Sequence, residues 1–413
     1  MQFAKCGDQK FAGRRFDVVV LQKKMKKQLI LFATVSVMTY ANAQTGKAAG
    51  ECDLGVTINT NFSKAPALDS IMTIYTTKTL PAVSIAVYSE KEGWWAGAKG
   101  YASIEQKTLM QNCHLQYLQS VSKSYLAVEM LQLNERGKID FSAPIIRYLP
   151  ARYVKYVSDA EKITVRMLLN HTSGVPEYNH DAKFISDVIL HPLKNFSSED
   201  CLKAIQNDSL QFPPGSKYRY TNTNYLLLSL IADAIVGDHT AFIREHIFAP
   251  LHLVNSFYKK DQNYLNHLYL PDSYWDVFNA GVPVNITPFQ KMTVACSKGD
   301  DGVVSTTVDA VKYLKGLMEG KLLRPESLQQ MLDFVKDEKG NKRYGMGMAY
   351  FDLGGLPGYG HGGGGIGAGC GLVYIPSHKL YVFVATNLGV FVEGNLAKKA
   401  EEFRDAVLLT LLQ

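Results

Sequence analysis

The 413-residue sequence lacks most of the signatures that would assign a chemistry at once. No C-x-x-C or H-x-x-x-H pair occurs among its six cysteines and ten histidines, which argues against a zinc site. No G-x-x-x-x-G-K-[ST] loop is present, so a P-loop nucleotide site is excluded. No G-x-S-x-G elbow marks an α/β-hydrolase nucleophile. Internal repeats and low-complexity tracts are also missing. So is any real excess of charge. Eight of the 44 basic and two of the 38 acidic residues precede residue 44, which leaves 36 of each sign in the rest. The formal charge of +6 belongs to that leader, and nothing in the remainder calls for a nucleic-acid partner.

The leader is informative. From Met25 the chain reads MKKQLILFATVSVMTYANAQ. Lys26 and Lys27 form a positive start, Leu29 to Met38 an apolar core, and Ala41-Asn42-Ala43 an A-x-A cleavage site. The apolar core falls short of the ~20 residues a spanning helix needs. No cysteine stands at the cleavage point to carry a lipid. The expectation is a signal peptide over 25–43 cleaved after Ala43, a periplasmic or secreted protein and no stable membrane anchor. Residues 1–24 read as a misassigned upstream start. Cys52, Cys113, Cys201, Cys296 and Cys370 remain after cleavage, scattered and odd in number, so at least one is expected as a free thiol.

What is present is an alternation of two patterns. PAVSIAVYS (81–89) and KEGWWAGAKGYAS (91–103) predict a hairpin. Residues 120–136 and 225–236 predict buried helices, each stopped by a glycine, Gly137 and Gly237. Residues 163–174 predict a short helix ending in a turn, and 305–320 a helix with Ser/Thr near its N-cap. YGMGMAYFD (344–352), GCGLVYIP (369–376) and KLYVFVATN (379–387) read as strands, followed by a helix over 394–409. Strands at both ends and helices between them predict an α+β fold. Its antiparallel sheet is built from both chain ends and flanked by helices, with a mostly helical insertion. The expected layout is a linker over 44–65 and one domain over 66–410. The sheet part covers about 66–119 and 300–410, and the helical part 120–299.

One run demands an account: YGHGGGGIGAGCG, residues 359–371. Gly360, Gly362 and Gly365 satisfy G-x-G-x-x-G, but strands follow where a dinucleotide site needs a helix, and Lys379-Leu380-Tyr381 stands where it needs an acid. His361 to Gly364 spell an HGGG oxyanion segment, but no nucleophile elbow accompanies it. Both readings fail, so the nucleophile lies elsewhere.

Ser120 and Lys123 form S-x-x-K at the head of a buried helix, one turn apart on one face. A serine hydroxyl needs a neighbouring base, and a desolvated lysine amine can serve. Tyr220 and Asn222 form Y-x-N in a loop before the next apolar helix. A tyrosine can relay a proton, and an asparagine can hold both a lysine and a substrate amide. Each motif alone is commoner as a helix cap with ordinary neighbours.

Together with His361-Gly362-Gly363, the chain order Ser120/Lys123, Tyr220/Asn222, His361/Gly363 resembles the serine beta-lactamase and penicillin-binding-protein superfamily, in particular its class C-like branch. LNERGKIDFSAPIIRYLP (133–150), ITVRMLLNHTSGVPEY (163–178) and DDGVVSTTVDAVKYLKGLMEGKLL (300–323) resemble that branch as well. The resemblance implies a cofactor-free, metal-free serine hydrolase acting on a small-molecule or peptide substrate. Ser120, Lys123 and Tyr220 would be catalytic; Asn222, His361, Gly363 and Gly364 would bind substrate. It further implies an oxyanion hole from the N–H groups of Ser120 and Gly364. The sequence departs from the family at Gly362, where a hydroxyl residue helps hold a substrate carboxylate, and at His361, expected neutral where the family can use a charged lysine. Esterase, D-aminopeptidase, DD-carboxypeptidase and beta-lactamase-like activities all fit the family. The alternative is an inactive relative that binds a peptidoglycan fragment or acyl ligand.

Overall fold

The computed structural model describes residues 53–259 and 264–413. The leader, its cleavage site and Cys52 lie outside them.

Helix α1 (Ala65–Lys78) leads into β1 (Ala82–Ser89), β2 (Gly93–Ser103) and the short β3 (Thr108–Leu109). Nearly every residue of β1 is buried, which is why its apolar run does not alternate. The chain returns to this sheet only near its end, through β4 (Val335–Lys336), β5 (Lys342–Tyr344), β6 (Ala349–Asp352), β7 (Pro357–Gly364), β8 (Gly369–Ile375) and β9 (Leu380–Thr386). The nine strands lie in the order β3-β2-β1-β9-β8-β7-β6-β5-β4, and each neighbouring pair is antiparallel. The seam between the two contributions is β1–β9, with Val83 opposite Thr386 and Ser89 opposite Leu380.

One row of side chains ties the register together. Tyr350, Tyr359, Tyr374, Tyr381, Tyr88 and Trp94 are successive partners across β6, β7, β8, β9, β1 and β2. Ring separations run from 4.3 Å for Tyr374–Tyr381 to 6.5 Å for Tyr359–Tyr374. A one-residue slip of any of these strands would throw its aromatic to the other face.

Between the two sheet segments run α2 (Ser122–Glu135) and α3 (Asn222–Val236), with shorter helices around them. Both stop as expected: Gly137 and Gly237 take φ of +66° and +82°. Two starts differ from expectation. The first turn of the Ser120 segment is a 3-10 turn over Gln119–Val121, and α3 begins at Asn222, capped by Thr221. Helix α4 (Thr307–Met318) is capped by the Thr306 side chain accepting from Asp309 N–H, and α5 (Asn395–Leu412) closes the chain against α1, with Phe403 edge-on to Tyr75 at 5.5 Å. A second, three-stranded sheet has Val303–Ser305 between Gln116–Tyr117 and Ser256–Tyr258.

Two local differences have physical causes. The expected strand over 344–352 is broken between β5 and β6, where Gly347 takes φ +71°. A Cβ on Gly347 would sit 2.3 Å from Ala127 Cβ, so the chain bends around α2 there. The segment ahead of α1 is packed: Asn59 N–H donates to Trp94 O at 2.7 Å, and Phe62 is buried, stacked on Trp95. His114 sits in a turn and is buried, with its Nδ1 accepting the Gln111 amide at 3.0 Å.

Candidate active site

The turn that carries Ser120, the candidate nucleophile, is held in a strained conformation. Gln119 has φ +49° and is buried. A left-handed non-glycine residue is uncommon and persists where its surroundings fix it. Here Leu118 N–H donates to Val303 O at 3.0 Å, and Leu118 O accepts from Cys370 Sγ at 3.2 Å. Gly365 leaves room for the Gln119 amide, since a Cβ there would lie 2.4 Å from Gln119 Oε1. The turn delivers Ser120, half-exposed, to the head of α2.

Lys123, one turn later, is completely buried. Its Nζ lies 2.9 Å from Ser120 Oγ, 2.7 Å from Asn222 Oδ1 and 2.7 Å from Asp300 O. Three acceptors match the three N–H groups of an ammonium. Removing one proton lets Nζ accept from the Ser120 hydroxyl while it still donates to the other two. The geometry therefore suits both ends of a proton transfer.

Asn222 is the first residue of α3, and its own N–H donates to Glu177 Oε2 at 2.5 Å. Tyr220 stands two residues earlier in the loop, half-buried, with Lys123 Nζ 5.2 Å from its ring centroid. Ser120, Lys123, Tyr220 and Asn222 thus meet where the heads of α2 and α3 converge.

Strand β7 forms the opposite wall. Its pairing with β6 ends at Gly360, whereas its pairing with β8 runs on to Gly364. His361 to Gly364 therefore offer a strand edge without a β6 partner. Gly363 presses on the nucleophile turn: a Cβ would lie 2.5 Å from Leu118 O and 2.9 Å from Gln119 Cβ. Gly364 is exposed at the mouth. Gly362 differs from both, because a Cβ there meets nothing within 4 Å. With Gly371 and Val384 it lines a cavity of about 20 Å³ under Arg404 of α5, on the sheet face opposite His361.

His361 does not reach into the cleft as a substrate contact would. It is 1% exposed, and both ring nitrogens are used within the protein. Nδ1–H donates to Gly362 O at 2.6 Å, and Nε2 accepts from Tyr344 OH at 2.8 Å. Burial first, and then the charge of Lys123, push its pKa down to about 3, so the ring is neutral at pH 7. The side chain stiffens the wall.

Acidic groups surround the lysine from behind. Burial pushes the carboxyls of Glu177 and Asp301 up to about 7 each. Asp300 Oδ2 accepts from Tyr178 OH at 2.7 Å while its carbonyl holds Lys123. Among the described residues no group of three or more His, Cys, Asp or Glu could hold a metal ion.

Several residues of this neighbourhood escaped the sequence reading. Gln119, Glu177, Asp300 and Tyr344 carry no motif of their own. His171 had a signal, the NHTSG run, which reads as the turn after a short helix. It is that turn, but its ring also lies 4.3 Å from Tyr220.

Comparison with known proteins agrees with this architecture. The chain matches the family model described as Beta-lactamase over residues 65–403. Protein flp of Staphylococcus aureus strain MRSA252 is 25% identical over 189 residues, 46% of this chain and 37% of its own. The putative penicillin-binding protein PbpX of Bacillus subtilis strain 168 is 26% identical over 272 residues, 63% of this chain and 62% of its own. The chain thus spans less than two thirds of the length of these curated relatives. Among solved structures, D-amino acid amidase from Ochrobactrum anthropi SV3, complexed with L-phenylalanine amide, superposes with a TM-score of 0.73 at 24% identity, covering 84% of this chain and 98% of that one. The fold is the same.

Proposed function

The chain belongs to the beta-lactamase family, with its serine-hydrolase fold, and on that footing we propose that it is an exported hydrolase forming an acyl-enzyme on Ser120. The observation that carries this reading is the contact of a fully buried Lys123 Nζ with Ser120 Oγ at 2.9 Å. Such a pair has chemical sense as nucleophile and base.

The unprotonated Lys123 amine takes the Ser120 proton as Oγ attacks the substrate carbonyl. The carbonyl oxygen becomes an oxyanion between the N–H groups of Ser120 and Gly364. Tyr220 gives its proton to the leaving nitrogen or oxygen and regains one from Lys123. Water then attacks the acyl-enzyme along the same relay, and Ser120 recovers its proton. Asn222 fixes the lysine. The unpartnered edge of β7 at Gly363 and Gly364 accepts an extended substrate by main-chain hydrogen bonds.

The substrate class follows from the strand wall. His361 is neutral and turned inward, and residues 362–364 carry no side chain. An amide or ester without a carboxylate beside the scissile bond suits such a site better than a beta-lactam or D-Ala-D-Ala terminus. D-amino acid amidase, similar in fold, makes neutral amides the first class to test. Export rests on the leader pattern and puts the enzyme in the periplasm or outside the cell.

A fluorophosphonate probe is expected to label wild type on Ser120 and leave Ser120→Ala unlabelled. A panel of a D-aminoacyl amide, short-chain p-nitrophenyl esters, nitrocefin and a D-Ala-D-Ala peptide should show turnover of the first two above the others. Absence of both labelling and turnover would leave the inactive, ligand-binding reading standing.

A further inference from the structure

His171 combines three features that seldom occur together. It is completely buried, its φ is +60°, and its Nε2 is a buried nitrogen without a hydrogen-bond partner among the described residues. A left-handed histidine is strained, and an orphaned buried donor forfeits the hydrogen bond it had in water. Structure retained against such costs points to a role in the site.

The contacts of His171 say what that role is. Its carbonyl accepts the N–H of Arg219 at 2.9 Å, and its Nδ1 accepts the N–H of Thr221 at 3.3 Å. The backbone is therefore held on both sides of Tyr220 by one residue. The imidazole itself lies on the Tyr220 ring, with centroids 4.3 Å apart. Asn224 adds a second donor to Nδ1 at 3.2 Å, and its own Oδ1 is taken by Ser173 Oγ at 2.7 Å. With Nδ1 an acceptor twice over, the proton of the neutral ring sits on Nε2. Burial and the neighbouring Lys123 keep the ring uncharged.

We propose that His171 is the positioning residue of Tyr220: it clamps the loop on either side of the phenol and places a buried N–H beside it that favours the phenolate. This rests on the acyl-transfer reading, in which Tyr220 gives up and regains a proton. An N–H dipole in a water-poor site stabilises the phenolate and leaves the phenol little changed, so it acts on the proton-transfer step and not on binding. The left-handed turn lets residue 171 hand its carbonyl to Arg219 and its ring to Thr221 at once. Other groups also face this pair. Lys123 lies 5.2 Å from the Tyr220 ring, and His361 and Tyr344 lie 6.1 and 5.8 Å from it. Tyr344, Tyr225 and Tyr218 lie 4.6, 5.2 and 6.4 Å from His171. Glu177 and Asp300 stand behind, through Asn222 and Lys123.

Two substitutions separate the parts of this role. His171→Asn tolerates the left-handed backbone and keeps an acceptor near Thr221 N–H, but removes the ring and its Nε2–H. His171→Phe keeps a ring and removes both the acceptor and the donor. Both are compared with wild type by p-nitrophenyl ester kinetics across pH and by NMR titration of tyrosines labelled at Cζ. The Tyr220 resonance is identified by its absence in Tyr220→Phe. The expected result is a kcat about 100-fold lower with KM within twofold, and a Tyr220 titration moved up by about one pH unit. Should His171→Phe not fold, His171→Asn decides alone. An unchanged Tyr220 titration and kcat in folded His171→Asn would overturn the proposal, as would a rise in KM with kcat intact. Failure of the hydrolase reading looks different: wild type is then inert towards esters and probe, while the tyrosine titration still reports whether His171 acts on Tyr220.

Discussion

The two walls of the cleft are built on opposite principles. On the helical wall the polar groups around Ser120 are densely bonded: Lys123 Nζ alone makes three hydrogen bonds, and Asn222 is bonded through both side chain and backbone. On the strand wall, residues 362–364 have no side chains at all, and one of the three positions borders open space. In the proposed reaction the first wall carries reactivity, which requires charge and protons at fixed places. The second carries shape, which here means bare backbone and a close fit of Gly363 to the turn. Changing the first wall should abolish chemistry with little change in fold. Changing the second should alter geometry or selectivity, depending on which glycine is touched.

The largest effect is expected on the helical wall. Ser120→Ala and Lys123→Met should each lower kcat by about 10⁴-fold or more. Methionine fills the lysine's volume without leaving a buried charge unpaired, so the thermal unfolding midpoint of Lys123→Met should hold or rise. Activity within tenfold of wild type for either variant would break the contrast between the walls.

Next comes Gly363→Val. Its side chain would drive into Leu118 O and Gln119. We expect a loss of about 1–3 kcal/mol in denaturant unfolding, together with a 10- to 100-fold drop in kcat, because the turn that aims Ser120 is displaced. Stability and activity should fall together, unlike for Lys123→Met.

A pH effect should distinguish the walls as well. His361 drops from the usual 6.5 to about 3 in the fold, so the unfolded chain binds the extra proton. Its share of stability is present above pH 6.5 and is lost as pH falls towards 3. Glu177 has the opposite sign. Raised to about 7 from 4.5, it contributes below pH 4.5 and loses that contribution as pH rises through 7. Unfolding midpoints measured from pH 4 to 9 should therefore show a flatter acid side in His361→Gln and a flatter alkaline side in Glu177→Gln.

The smallest effect is expected at Gly362. Serine there meets nothing, so unfolding should match wild type. Its side chain would point to the α5 face of the sheet, away from His361 and the Ser120 cleft, so KM for a carboxylate-bearing substrate relative to its neutral analogue should stay unchanged. A shift in that ratio would show that residue 362 reaches the substrate.

The elements that announced themselves in the sequence are those whose local pattern agrees with their final surroundings. α2 and α3 have apolar runs ended by glycines, and the β1–β2 and β8–β9 hairpins have β-branched runs around short turns. Ser120/Lys123 and Tyr220/Asn222 were readable because each pair is close in sequence. The tertiary supports were not. Glu177 and Asp300 reach the site from 45 and 177 positions away from the groups they hold, and no spacing rule connects them. The aromatic row was invisible for the same reason, since its six members come from six strands. β7 was hidden by composition, because glycines are depleted in strands. It is a strand because β8 pairs along it and the nucleophile turn leans on it.

The seam at the centre of the sheet has a consequence for how the chain reaches this state. β1 is finished by residue 89, yet the strand that pairs with its inner edge begins at Leu380. Contacts across some 300 residues close late, because the loss of chain freedom precedes the gain from pairing. Until the last strand emerges, β1 and β2 have no complete sheet to join. A protein with its two sheet halves at opposite ends of the chain cannot complete that sheet until its last strand is made.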